Sequence, residues 1–249
     1  MEDIDFQQEI ERVILLLSKI SRKQFHKVWL QEILQGKESI FSVYAMGMSA
    51  YYKKISDKDA KAIEAKIESP DLIKNFEKHS VDFVTDFTVH DRIHTIVELQ
   101  TVAQLSGIWE KFSKKTKEFL KNYFCCGDCI EGWVTITKQQ LGSHGVGACS
   151  LDSTGDVLES FGTAVISGFW ANLPKKEQRN LIETFSSPRF QTQIMAYGYY
   201  VFGVAHNPCI AKTTVMSLVN TTITFLRAYL DFFNRDGKPY DAQNIFTPM

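Results

Sequence analysis

The sequence predicts an all-α, multi-helix, bundle-like globular domain with one small β-like or loop insertion near residues 125–155. Three observations carry this. Apolar residues recur at helical spacing through most of the chain, as in Ile10, Val13, Ile14, Leu17 and Ile20. Glycine, proline and small polar residues punctuate these stripes at intervals suited to helix ends. Residues 125–155 break the habit, with six glycines and four of the five cysteines.

The elements follow in order. Ile4 to Ile20 is the first helix. A second, capped near Ser21, carries Phe25, Val28, Trp29, Ile33 and Leu34 and stops at Gly36. Ser39 opens a third with Phe41, Tyr44, Met48 and Tyr51-Tyr52, and Asp57 caps a short alanine-lysine helix ending near Ser69-Pro70. Pro70 suits the first turn of the next helix, with Leu72, Ile73 and Phe76 inward. Val81 to Phe124 reads as one or two long helices with a break at Ser106-Gly107. In the insertion, Trp133-Val134-Thr135-Ile136-Thr137 reads as a β-like run within a loop and hairpin. Helices resume with Asp156 as a cap and continue to Ala171, from Pro174 to Phe185, from Phe190 to Ala205, and on to about Phe233. Gly237-Lys238-Pro239 begins a polar tail. No period of 20–50 residues recurs.

Residues 1–249 are therefore read as a single helical domain. It comprises a charged helical layer over 1–124, the insertion over 125–155, a charge-poor helical core over 156–235 and a polar tail over 236–249. Charge supports the division. Residues 1–124 hold 19 basic and 19 acidic side chains, and residues 125–249 hold 9 and 10. Between Arg189 and Arg227 the only charged side chain is Lys212, so the last two helices read as central ones, as a pocket wall or as a dimer seam.

Composition excludes some function classes. The net charge of -1 lacks the basic excess with which nucleic-acid binders displace counterions, so no nucleic-acid partner is expected. The best spanning candidate, Thr213 to Phe233, contains Asn220, Arg227 and Asp231 and reads as a buried helix, so no membrane span is expected. The acidic start Met1-Glu2-Asp3 lacks the pattern of a signal peptide, and the odd cysteine count suits a reducing, cytoplasmic setting.

Four features are candidates for chemistry. Cys126-Gly127-Asp128-Cys129 and His206-Asn207-Pro208-Cys209 supply two half-sites, Cys126, Cys129, His206 and Cys209, that would close a tetrahedral zinc site if they met. The plainer reading is free thiols. The aromatic stretch containing Tyr197, Tyr200 and Phe202, followed by His206, suits a haem or an apolar small ligand. His90-Asp91-Arg92-Ile93-His94 places two imidazoles on one helix face with Glu98 a turn further on, the outline of a metal-dependent hydrolase. Core histidines are the simpler account. Gly142-Ser143-His144-Gly145-Val146-Gly147 lacks the ending of a phosphate-binding loop, and the run Lys111, Lys114, Lys115, Lys117, Lys121 is read as a solvated face.

No catalytic constellation is complete and no family's motifs occur at convincing spacing. The expectation is a non-enzymatic helical interaction or regulatory protein of adaptor or effector type, with a protein partner or a second copy. A helical sensor for haem or an apolar ligand near Met195–His206, and a metal-dependent hydrolase using His90 and His94, are the alternatives.

Overall fold

A computed structural model describes residues 5–35, 68–85, 93–143 and 151–234, with isolated positions at Lys58, Lys61, Ala62 and Ala65. The described residues form nine helices and no strand. They are α1 (Phe6–Gln35), α2 (Pro70–Thr85), α3 (Ile93–Leu105), α4 (Lys114–Phe124), α5 (Gly127–Ser143), α6 (Leu151–Ile166), α7 (Lys175–Phe185), α8 (Pro188–Ala205) and α9 (Lys212–Asn234). Two short 3-10 turns, Ile108–Lys111 and Phe169–Asn172, join α3 to α4 and α6 to α7. The all-α class is as the sequence predicts. The helices expected from Ser39 and Asp57, and the polar tail, lie outside the described residues.

Three details differ from the sequence reading. Trp133–Thr137 is not a β-like run but the middle of α5. Cys129, Trp133, Val134 and Thr137 are buried at helical spacing, so tertiary burial overrides the strand preference of that short run. Ser21 does not cap a second helix. It lies within α1, buried, and its hydroxyl donates to Asn220 Oδ1 at 2.6 Å, so the polar group is satisfied without a break. Asp156 does not open its helix either: α6 starts at Leu151 and ends at Ile166, just before Gly168.

The helices form a tandem array that repeats every sixty-one residues. One unit is α3, 3-10 turn, α4, α5. The next is α6, 3-10 turn, α7, α8. The junction Ala103-Gln104-Leu105-Ser106-Gly107-Ile108-Trp109 returns as Ala164-Val165-Ile166-Ser167-Gly168-Phe169-Trp170, and Lys114-Lys115, Leu120 and Phe124 return as Lys175-Lys176, Leu181 and Phe185. Gly107 has φ 79° and ψ -2°, and Gly168 has φ 78° and ψ 0°. Both turns thus use the left-handed backbone that glycine adopts most cheaply.

Burial repeats where identity does not. Ile93, Val97 and Ala103 of α3 correspond to Thr154, Leu158 and Ala164 of α6 and to Val215, Val219 and Phe225 of α9, and all nine are buried. Helix α9 is therefore a third copy of the first helix of the unit. Helix α2 matches α5 at a step of fifty-seven residues, and α5 matches α8 at sixty-one: Leu72, Cys129 and Phe190 are buried at one level, and Phe76, Trp133 and Ile194 at the next. The starts of these three helices also agree. Ser69 Oγ accepts from the Leu72 amide at 3.5 Å, Cys126 Sγ from the Cys129 amide at 3.4 Å, and Ser187 Oγ from the Phe190 amide at 3.3 Å. Each satisfies an amide that the helix itself leaves unpaired.

Packing follows the array. Helix α3 lies against α6, α6 against α9, and α8 against both α6 and α9, while α5 joins α6 and α2 joins α3 and α4. Helix α1 leaves this order and packs along α9 and α8. Units of this kind cannot bury their apolar faces alone, and stacking makes one continuous core. Phe161 of α6 shows it. Its ring meets Trp170 at 5.4 Å, Phe185 at 4.6 Å, Phe232 at 5.1 Å and Tyr229 at 5.7 Å between centroids. Full burial of such a ring contributes about 1.5–3 kcal/mol.

Candidate functional site

The stacking of α3 on α6, with α5 beside them, leaves a cleft of about 180 Å³ at the seam between the two units. Helix α3 contributes His94, Thr95 and Glu98, α5 contributes Gln140, and α6 contributes Asp156, Glu159, Ser160 and Thr163. Every one of these side chains is polar, and no lysine or arginine is among them. Helical spacing explains the convergence: Glu98 lies one turn beyond His94, and Asp156, Glu159, Ser160 and Thr163 share one face of α6.

His94 is fixed from both sides. Its ring lies 5.8 Å from the Trp133 ring between centroids and bonds to the Trp133 main chain, with Nε2 3.4 Å from Thr137 Oγ1. Burial pulls its pKa down to about 4, and the bond to the Trp133 main chain only partly opposes this. The imidazole is therefore neutral at pH 7. A neutral ring carries one N–H. With that hydrogen on the nitrogen facing α5, Nδ1 accepts from the Ser160 hydroxyl at 2.6 Å. Ser160 Oγ also lies 2.8 Å from the Asp156 carbonyl and 3.2 Å from Gln140 Oε1, so three acceptors surround its single proton.

Glu98 of α3 and Glu159 of α6 both line this cleft. Burial raises the Glu159 pKa to about 8, with further contributions from the Glu98 and Asp156 charges. Glu98 and Glu159 are sixty-one residues apart, the same position in successive units.

A serine hydroxyl on an imidazole resembles a nucleophile and its base. Two facts weigh against that use. Ser160 is only 3% exposed. A ring held near pKa 4 is also a weak base at neutral pH, far from the matched value that general-base catalysis favours. The arrangement is a partly buried polar network that links α3, α5 and α6. Among the described residues no group of three or more histidine, cysteine, aspartate or glutamate side chains is placed to hold a metal ion.

The residues singled out from the sequence fall elsewhere. Cys126 caps α5 through its sulfur, and Cys129 is fully buried one turn on, its thiol pushed up to about 12 by burial and by Cys126 and Cys125. His206 ends α8, with Nδ1 2.8 Å from the Phe202 carbonyl and its ring 4.5 Å from the Phe202 ring between centroids. Cys209 is exposed just beyond. The two half-sites thus mark the start of one helix and the end of another. The Tyr197 and Tyr200 rings lie 6.5 Å apart between centroids. Tyr197 is buried on Gly155, while Tyr200 beside it is 38% exposed. His90 and Asp91 lie outside the described residues, as do residues 144–150 of the glycine-rich stretch.

Sequence reasoning named His94 and Glu98 but not Glu159, Ser160 or Gln140. The signal that would have found Glu159 is the recurrence at sixty-one residues, which aligns it with Glu98. No family model, curated protein or solved structure matches the chain. No helix among the described residues is long and apolar enough to cross a membrane.

Proposed function

We propose that the protein is a non-enzymatic helical interaction module that binds a protein partner along the array. The supporting observation is the sixty-one-residue recurrence, because stacked units present equivalent side chains at a fixed step, which suits an extended partner better than chemistry at one point. Lys114-Lys115 and Lys175-Lys176 are such a step. Both pairs are exposed and open the first turns of α4 and α7. Cations there oppose the helix dipole by a few tenths of a kcal/mol each, so helix stability does not account for their recurrence. A partner with an acidic face does. The weak base at His94 and the buried Ser160 further favour binding over catalysis.

The test is in-cell crosslinking and affinity isolation of the tagged chain, compared with a variant carrying Lys114→Glu, Lys115→Glu, Lys175→Glu and Lys176→Glu. The expected result is a defined, salt-sensitive protein partner that binds purified chain directly and is lost in the variant at unchanged thermal stability. Retention of the same partner by the variant would reject the basic steps as the binding surface. Isolation of a reaction product whose formation needs Ser160 and His94 would reject the module reading altogether.

A further inference from the structure

Helices α2, α5 and α8 begin alike in geometry, but one of them differs in chemistry. The side chains of Ser69, Cys126 and Ser187 each accept the backbone amide three residues on. The residues that carry those amides, Leu72, Cys129 and Phe190, are buried at one level of the core. The array thus supplies its own comparison. A cap calls for an oxygen acceptor, which serine provides better than the weakly accepting sulfur of cysteine. The buried level takes leucine in α2 and phenylalanine in α8. Of these three helices, α5 alone places cysteine at both positions, so neither capping nor packing accounts for the pair. What the two cysteines have, and a serine with a leucine or a phenylalanine lacks, is dithiol chemistry.

The two thiols lie within one turn. Cys126 Sγ is 3.4 Å from the Cys129 amide nitrogen. Side chains three apart share a helix face and tilt toward the helix N-terminus, so Cys129 leans toward Cys126. A bond between them can close within α5, with no second element to bring up. Their exposure differs. Cys126 is half-buried, whereas Cys129 is buried, its thiol pushed up to about 12 by burial and by Cys126 and Cys125. The thiolate is the form that attacks a disulfide. Cys126 is therefore the sulfur that an incoming oxidant meets, and Cys129 is the one that follows.

We propose that Cys126 and Cys129 are a reversible dithiol site, oxidised by a low-molecular-weight disulfide of the glutathione type to an internal disulfide across the start of α5. Cys126 gives its proton to water, and its thiolate attacks one sulfur of glutathione disulfide. A bond forms between Cys126 and that sulfur, and the first glutathione leaves as a thiolate that regains a proton from water. The Cys129 sulfur then attacks the Cys126 sulfur. The second glutathione leaves and takes up the Cys129 proton. The two cysteines have lost two electrons, and glutathione disulfide has gained them to become two thiols. This goes beyond the partner-binding reading and does not depend on it.

The experiment incubates the folded full chain with glutathione disulfide at neutral pH. Samples are quenched in acid, unfolded and alkylated, and intact mass counts the alkylated cysteines and any bound glutathione. Before oxidation all five cysteines of the wild-type chain should be alkylated. After it, two should be lost together with no glutathione in their place and no link between chains, and dithiothreitol should restore them. Cys125→Ser, at an exposed position, should show the same paired loss. Cys126→Ser, which keeps a cap, and Cys129→Val, which keeps an apolar side chain, should abolish it. The proposal is overturned if the wild-type chain loses cysteines only to bound glutathione or to links between chains. It is equally overturned if Cys125→Ser abolishes the paired loss, or if Cys126→Ser or Cys129→Val retains it. The wild-type and Cys125→Ser results decide the matter even if Cys129→Val fails to fold.

Discussion

Gly107 and Gly168 stand sixty-one residues apart and hold the same left-handed backbone, each between a long helix and a 3-10 turn that begins a new direction. In both, a Cβ added to the glycine would meet nothing within 4 Å. The requirement for glycine is thus one of backbone conformation and not of space.

Gly107→Ala and Gly168→Ala should each destabilise the chain by about 1–2 kcal/mol in equilibrium urea unfolding, the cost of a left-handed L-residue. Gly→Asn at either position should cost less, because asparagine visits this region more readily. Equal losses for alanine and asparagine would point to a steric cause and count against this account.

Gly162 presents the opposite case. A Cβ there would lie 2.4 Å from Phe225 Cδ1, between the equivalent helices α6 and α9. Gly162→Ala should destabilise by about 1–3 kcal/mol through overpacking. Gly203→Ala, with nothing within 4 Å, should stabilise by about 0.5–1 kcal/mol in the same assay. The contrast in sign between two helical glycines is the measurement.

Cys126 occupies the capping position that Ser69 and Ser187 hold in the matching helices. Cys126→Ser should leave stability unchanged or raise it, and Cys126→Ala should cost about 1 kcal/mol. Thermal melts with and without a chelator separate this role from metal ligation, in which serine would fail as alanine does.

His94 sets the acid side of stability. Its folded pKa, near 4, lies below the ordinary value of 6.5, so the unfolded chain takes up a proton first as pH falls. The stability it contributes is complete above pH 6.5 and is lost as pH falls through about 4, by roughly 3 kcal/mol in all. His94→Gln should flatten this acid limb in urea titrations run at several pH values. A ring that titrates near 6.5 by NMR in the folded chain would remove the basis for this prediction.

The helical nature of the chain was legible because apolar spacing is local. Pro70 at the start of α2 and the break at Ser106-Gly107 could be read from two or three residues each. The β-like reading of Trp133–Thr137 failed for the complementary reason. Five residues rich in β-formers carry too little information against the burial of Trp133 by Phe169, 5.6 Å away between ring centroids and thirty-six positions on. The repeat escaped a search over 20–50 residues because its period is longer and because it survives mainly as a pattern of burial, with few identities outside the Ser-Gly-x-Trp turn. The polar cleft was half legible. His94 and Glu98 share a helix, but Ser160, which bonds to His94, and Glu159, which lines the same cleft, arrive from the next unit, a convergence that no local spacing reveals.

The packing of α1 along α9 has a consequence for how the chain is made. Ile10, Val13, Ile14 and Leu17 emerge from the ribosome about two hundred residues before α9, against which α1 packs. At roughly 5–20 residues per second this leaves an apolar helical face uncovered for ten seconds or more, far longer than helices take to form. The middle units can stack as they appear, since each meets its neighbour in sequence. Helix α1 must wait for α8 and α9, so its docking follows the stacking of the middle units, and a nascent chain stalled before residue 188 would still expose that face.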